Sequence, residues 1–393
     1  MRWQPITDRA LRNRAARAVR ELAAILGEPA AASPSLALGD AGTAVFFAYL
    51  ARARFPVKHA ADRARFHAGR AAEAIRETAL PLGLFGGITG IAWMLQHLRG
   101  AELPRRDVCG DLDAALRSAV GGGALDGFDL VHGLCGIGVY ALARGDRALA
   151  RRVVEQLRTL GRPHGDGVAW IAPGSAAIDL GTAHGLAGLV AMLGQARGAR
   201  IPGAATLSRR ALAGLLGHAR WDRPAVFPAF AAELGDAVSR DARLAWCYGD
   251  IGAACALQTA AESTGDAVLA ATALRMARQA ALRPAASSGV VDCGICHGAA
   301  GVALGLQRMF VAGGDPALRD AARRWLGVAL DHGVPPGLRD GSEAAHGRGL
   351  LGGAGLGLAY LAATTAVGPR WASALAIVPA TAGVRAAQRS QRR

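Results

Sequence analysis

Leu244-Ala245-Trp246-Cys247-Tyr248-Gly249-Asp250-Ile251-Gly252-Ala253-Ala254-Cys255 carries the unit that decides the fold of this chain: an apolar lead-in, Gly-x-x-Gly, then a run of small and apolar residues. The same unit recurs at 36–47 (LALGDAGTAVFF), 84–95 (LFGGITGIAWML), 130–142 (LVHGLCGIGVYAL), 182–193 (TAHGLAGLVAML), 295–306 (ICHGAAGVALGL) and 350–361 (LLGGAGLGLAYL). The first glycines of the seven copies are Gly39, Gly87, Gly133, Gly185, Gly249, Gly298 and Gly352. A period of this length marks a repeat architecture in which each unit buries its apolar face against its neighbours.

Working outward, each interval also holds a stretch of helical period rich in arginine and alanine, such as Ala64 to Leu80, Arg144 to Leu160 and Ala267 to Leu282. One helix of each repeat is apolar nearly all round, as a helix buried on every side must be. The other has a charged face. Alternation of the two kinds over seven copies predicts an all-α fold, an α/α toroid of seven inner and seven outer helices. It spans 1–393 as a single domain that ends in a basic tail at about 385–393. The glycines are expected to let backbones of neighbouring repeats approach and to tolerate unusual dihedrals in the loops that lead into the inner helices. Gly349 to Gly368 is long enough without a charge to suggest a membrane span. Its glycine content and its membership in the repeat argue for an inner helix instead.

The chain has 393 residues and a formal net charge of +15, almost all of it from arginine, since Lys58 is the only lysine. Arg9, Arg12, Arg14, Arg17 and Arg20 are spaced to lie on the wet side of a helix, and no aromatic-basic stripe or zinc-finger spacing supports nucleic-acid binding. The first thirty residues lack the apolar core of a secretory signal. A cytoplasmic, reduced setting is therefore the expectation, with at most peripheral membrane association. In that setting clustered cysteines read as metal ligands before disulfides.

The residues just before each first glycine stand at one shared end of the ring. There the third copy has Asp129 and His132, the fourth His184, the fifth Cys247 and Tyr248, and the sixth Cys296 and His297. Two thiolates and an imidazole, from Cys247, Cys296 and His297, make a catalytic zinc complement with the fourth position open. Cys109, Cys135 and Cys255 read as small core residues. Cys293 lies three residues from Cys296 and is a substitute for it as ligand. Cys293-Gly-Ile-Cys296-His297 also has the spacing of a c-type haem attachment, a chemistry that belongs outside the cytoplasm. His132 reads as a cavity-lining histidine and not as a ligand. No pair of acidic residues in these turns offers the two carboxylates of a glycosidase.

Taken together, Trp246-Cys247-Tyr248-Gly249, Cys296-His297-Gly298, Ala183-His184-Gly185 and the aspartate four residues before Gly133 resemble the LanC-like lanthionine synthetase cyclases. The resemblance runs from Ser35 to about Pro379. It implies one zinc ion per chain on Cys247, Cys296 and His297, catalytic roles for His184 and Asp129, a supporting role for Arg243 and a pocket-lining role for Tyr248. His132, Cys135 and Cys293 depart from the family pattern. The activity implied is zinc-dependent addition of cysteine thiols to dehydroalanine or dehydrobutyrine in a ribosomally made peptide, giving lanthionine or methyllanthionine rings. A separate dehydratase and a transporter are the partners this implies beside the dehydrated precursor peptide. Two other readings stand beside it: a glutathione- or thiol-binding relative that adds thiols to dehydrated residues, and a zinc-containing scaffold of a synthetase complex.

In chemical terms a free cysteine is mostly protonated at neutral pH, whereas its thiolate is the nucleophile. Metal coordination removes that limit. Addition at the β carbon leaves an enolate that needs a proton at the α carbon. A histidine held by an aspartate is suited to give it. The residues alone leave His184 and Asp129 open between acid and base.

Overall fold

A computed structural model describes residues 2–28, 33–123, 125, 127–232, 241–340 and 347–380. The basic tail at 385–393 lies outside them. Seven helices form the inner layer: α2 (Asp40–Arg52), α4 (Ile88–Leu98), α6 (Leu134–Arg144), α8 (Leu186–Gly198), α10 (Asp250–Thr264), α12 (Ala299–Gly313) and α15 (Gly353–Thr364). Each touches the next, and α15 returns to α2, which closes the ring. In α2, α10 and α15 every residue of the first three turns is buried, Asp40–Leu50, Asp250–Ala261 and Gly353–Ala363.

The outer layer is α1 (Arg9–Gly27), α3 (Ala60–Glu77), α5 (Gly110–Gly121), α7 (Arg147–Leu160), α9 (Ala204–Leu216), α11 (Ala267–Ala281) and α13 (Pro316–His332), and a short α14 (Gly337–Asp340) leads from α13 toward α15. These helices bury one stripe only. In α7 it consists of Leu149, Ala150, Val153, Val154 and Leu157. Four of them start on an aspartate whose carboxylate accepts a backbone N–H of the first turn: Asp8 from Leu11, Asp146 from Leu149, Asp266 from Leu269 and Asp315 from Ala317. Such caps satisfy the orphan donors of a helix start. Each of the six intervals supplies one outer helix, and the seventh is α1, which packs on α15 and α13. The N-terminal helix therefore completes the last repeat, and the run 349–368 holds the inner helix α15. Among the described residues no helix is long and apolar enough to cross a membrane.

Inner helices lack side-chain caps. Their first N–H groups bond instead to the loop that leads in, as in Leu134 N to Gly127 O (2.9 Å), Cys135 N to Phe128 O (3.0 Å) and Ala299 N to Asp292 O (2.9 Å). The loop therefore curls tightly over the helix end, which explains the second glycine of the repeat. A Cβ at Gly252 or at Gly301 would fall 2.0 Å from the carbonyl oxygen of Trp246 or Ile295, and the clash recurs at 1.9 to 2.4 Å at Gly42, Gly90, Gly136, Gly188 and Gly355. Most of this crowding is with the repeat's own loop, where the sequence suggested neighbouring repeats. Among the seven first glycines a left-handed φ occurs only at Gly249, at +122°.

Two features were not expected from the sequence. The long connections before α8 and after α9 carry two small antiparallel pairs, β1 (Arg162–His164) with β2 (Gly167–Ala169) and β3 (Ala177–Asp179) with β4 (Phe230–Ala232). Residues 371–377 are buried against inner helices on several sides of the ring, with Thr259 Oγ1 donating to Ala376 O (3.0 Å) and Arg308 Nε to Ile377 O (3.0 Å). This segment fills the bore.

Candidate metal centre and the cavity beside it

The loops at the N-terminal end of the inner layer are joined into a belt by backbone hydrogen bonds. Leu350 N bonds to Leu36 O, Ala37 N to Phe85 O, Phe85 N to Val131 O and Leu130 N to Ala183 O. Thr182 N then reaches Cys247 O at 2.8 Å, and Trp246 N and Cys247 N both reach Cys296 O at 3.1 Å. The belt brings together residues that are 49 positions apart in the chain. Trp246 is held from the other side, its indole N–H donating to Leu375 O in the bore at 2.7 Å.

The donor atoms of Cys247, Cys296 and His297 lie within 4.8 Å of one another. Their mutual effects are strong. Hydrogen bonds from Cys296 and His297 hold the Cys247 thiol well below the ordinary thiol range, against the opposing effect of burial. Cys296, which supplies the proton of that contact and is itself half-buried, is raised well above the ordinary thiol range. His297 is raised to about 9 by Asp292 first and by Cys247 second, and its Nε2 stands 3.0 Å from Asp292 Oδ2. The site thus has two soft sulfurs and an imidazole whose other nitrogen is fixed by a carboxylate, the outer partner that zinc-bound histidines ordinarily have. The donor set fits a zinc ion with one position left for a substrate atom.

Cys293 is not part of this cluster. It is buried, and burial pushes its thiol up to about 11. It therefore reads as a core residue, and the substitute-ligand and haem readings have no geometric support. Cys109, Cys135 and Cys255 are buried as expected, with sulfurs aimed at the carbonyl oxygens of Ala92, Gly188 and Gly305.

A cavity of about 280 Å³ is lined among others by Phe128, Asp129, Asp179, His184 and Phe230, and it neighbours the metal centre through Tyr248, whose ring is 6.5 Å from that of His184 and 5.4 Å from that of Phe230. His184 Nδ1 lies 3.2 Å from Asp129 Oδ2. Burial alone would raise the Asp129 carboxyl, but hydrogen bonds from His184 and from the His132 backbone N–H outweigh it and hold it below the usual carboxylate range. The same contact with Asp129 raises His184. An ionised Asp129 accepts the Nδ1–H, which leaves Nε2 of His184 for the cavity. Tyr248 is half-buried and donates its hydroxyl to Asp179 Oδ2 at 2.8 Å. Arg243 is exposed, and its charge acts on Cys296.

Two residues of the site were missed in the sequence, Asp179 and Asp292. Each stands six residues before a first glycine and folds its Oδ1 onto the N–H two residues on, Gly181 at 2.8 Å and Gly294 at 2.6 Å. Position minus six was the signal, and the sequence reading took a residue there only in the fifth copy, Arg243. Asp179 also corrects the expectation that no two carboxylates share these turns, since it lines one cavity with Asp129. Neither is arranged as a free acid beside a water site, because Asp129 serves His184 and Asp179 serves Tyr248.

A closed double ring of helices that gathers two cysteines and a histidine at one end defines an α/α toroid with a candidate metal centre. Against solved structures the chain matches one described as nisin cyclase with a TM-score of 0.70 and 16% identity, covering 94% of this chain and 98% of that one. At that identity the likeness shows the fold. The family described as lanthionine synthetase C-like protein matches residues 30–375, and the chain belongs to that family. It is an enzyme of the lanthionine synthetase class. No curated protein sequence matches it.

Proposed function

We propose that this protein is a zinc-dependent cyclase that closes thioether rings in a dehydrated, ribosomally made peptide. The observation that carries the reading is the juxtaposition of the Cys247, Cys296 and His297 donors, within 4.8 Å of one another, with an Asp129–His184 pair in the adjoining cavity. One zinc per chain, held by those three residues, would keep the substrate sulfur as thiolate at neutral pH.

The remaining steps belong to this chain's own side chains. Asp129 orients His184 and favours its protonated form, so that Nε2–H faces the cavity. As the sulfur bonds to the β carbon of dehydroalanine or dehydrobutyrine, the electron pair of the double bond moves onto the amide as an enolate. His184 then delivers a proton to the α carbon, which restores the amide and leaves a neutral imidazole. Tyr248, pinned by Asp179, shapes the wall between metal centre and cavity, and Arg243 offers a cation to the peptide backbone or the enolate oxygen. A separate dehydratase must supply the unsaturated peptide, because addition consumes a double bond that this site has no means of making. A cytoplasmic location, peripheral membrane association through a synthetase complex, and a single domain over 1–393 belong to the same proposal.

The test is His184→Asn. Zinc should stay near one equivalent and peptide binding should persist, while single-turnover ring closure slows by about a hundredfold to ten-thousandfold. Normal closure with intact zinc and an unchanged melting temperature would remove His184 from the mechanism.

A further inference from the structure

Asp129 serves more than one histidine. Its Oδ1 accepts the His132 backbone N–H at 2.6 Å, which turns the loop so that Oδ2 faces two imidazoles, His184 Nδ1 at 3.2 Å and His132 Nδ1 at 3.7 Å. The two rings stack with centroids 5.5 Å apart and 20° between planes. One donor atom from each of the three residues falls within 4.8 Å of the others. Two ligands about 2.1 Å from one ion stand ~3.0 to 3.4 Å apart, for right-angle to tetrahedral geometry. The separations of 3.2 and 3.7 Å bracket the upper end of that range, so a small swing of His132 completes a set. Its side chain is 70% exposed and free to make that swing.

From this geometry we propose a second divalent-cation site, formed by Asp129, His132 and His184 and separate from the cysteine centre. Two imidazoles and a carboxylate suit zinc, cobalt(II) or nickel(II), and they lack the thiolates that make the first site tight. The second site is therefore the weaker, by at least about a hundredfold. A cation there takes the Nδ1 lone pair of His184, displaces the proton shared with Asp129 and separates the two residues. Zinc is then both required and, in excess, inhibitory. That consequence rests on the proton-donor role proposed for His184, whereas the binding does not.

Cobalt(II) distinguishes the two sites without an activity assay. The first equivalent added to metal-free protein should show the sulfur-to-cobalt absorption of a thiolate site, and the second only weak d–d bands with no gain in the sulfur band. His132→Asn should weaken the second equivalent at least tenfold and spare the first, and Asp129→Asn should do the same, each at an unchanged melting temperature. His164 and His218, whose Nε2 atoms are 3.1 Å apart, offer a two-donor competitor, so His218→Asn is titrated alongside. Saturation of the wild type at one equivalent up to millimolar cobalt overturns the site. So does a second equivalent lost in His218→Asn and retained in both other variants. If the second equivalent behaves as expected but excess zinc leaves ring closure unaffected, the site stands and the role given to His184 falls.

Discussion

Zinc affinity should follow pH with the slope of a two-proton exchange. A thiolate-imidazole site takes up metal only as its donors lose their protons. In the metal-free site one proton of the thiol pair is already gone, because Cys296 and His297 stabilise the Cys247 thiolate and hold it well below the ordinary thiol range. Cys296 is raised above the ordinary range and stays protonated through neutrality, and His297 sits at about 9. Between pH 6 and 8, therefore, Cys247 has no proton to give up while Cys296 and His297 each have one. Each displaced proton costs ~1.4 kcal/mol per pH unit, so affinity should fall about a hundredfold per unit of acidification. From pH 8 to pH 6 the loss is on the order of ten-thousandfold. The direction follows from the raised His297: it is cationic below about 9, binding eases as pH rises toward that value, and above it the slope drops to one proton. Competition against a chromophoric chelator of known pH behaviour, from pH 6 to 9.5, measures the slope. A slope near three below pH 8 would mean that both thiols start protonated and would refute the shared-proton pair. A slope near one would mean that Cys296 or His297 is not a ligand or starts without its proton.

Other outcomes follow from the same structure. Asp292→Asn removes the carboxylate 3.0 Å from His297 Nε2 and should weaken zinc by about tenfold to a hundredfold at pH 9.5, where proton competition from His297 has ended; equal affinity would deny Asp292 its orienting role. Chelation should abolish ring closure yet leave the helical circular dichroism intact, because the described inner helices bury their apolar residues without the metal; wholesale unfolding would mark the zinc as structural. Gly194→Ala places a Cβ 2.5 Å from the Cβ of Ala260, so α8 and α10 must separate at a cost of about 1–3 kcal/mol. Its melting temperature should drop by several degrees with zinc content unchanged, and an unaltered melting temperature would show that this helix contact has slack.

The seven repeats, the buried and half-buried helices and the shared end of the ring were legible in the sequence because each is a local pattern. Gly-x-x-Gly before an apolar run and arginine on one face of the next helix are readable within a window of twenty residues. The cysteines and histidines beside the first glycines were legible for the same reason. Asp179 and Asp292 escaped because their carboxylates first look like turn residues bonded to Gly181 and Gly294. Only the placement of Tyr248 and His297 gives their second oxygens a role.

The sequence by itself determined that the chain is all-α, that its repeats form a ring, and which residue types gather at one end, since periodicity and composition act along the chain. Tertiary structure decided which of those residues meet. Cys247 and Cys296 are joined by a belt of backbone hydrogen bonds between loops 49 residues apart, and Cys293, three residues from Cys296, is turned into the core instead. The seventh outer helix comes from the opposite end of the chain, and the bore is filled by residues 371–377, which carry no repeat pattern. Both depend on ring closure, which pairs the first repeat with the last and leaves a space along the axis. That is a property of the assembled circle, and no single repeat contains it.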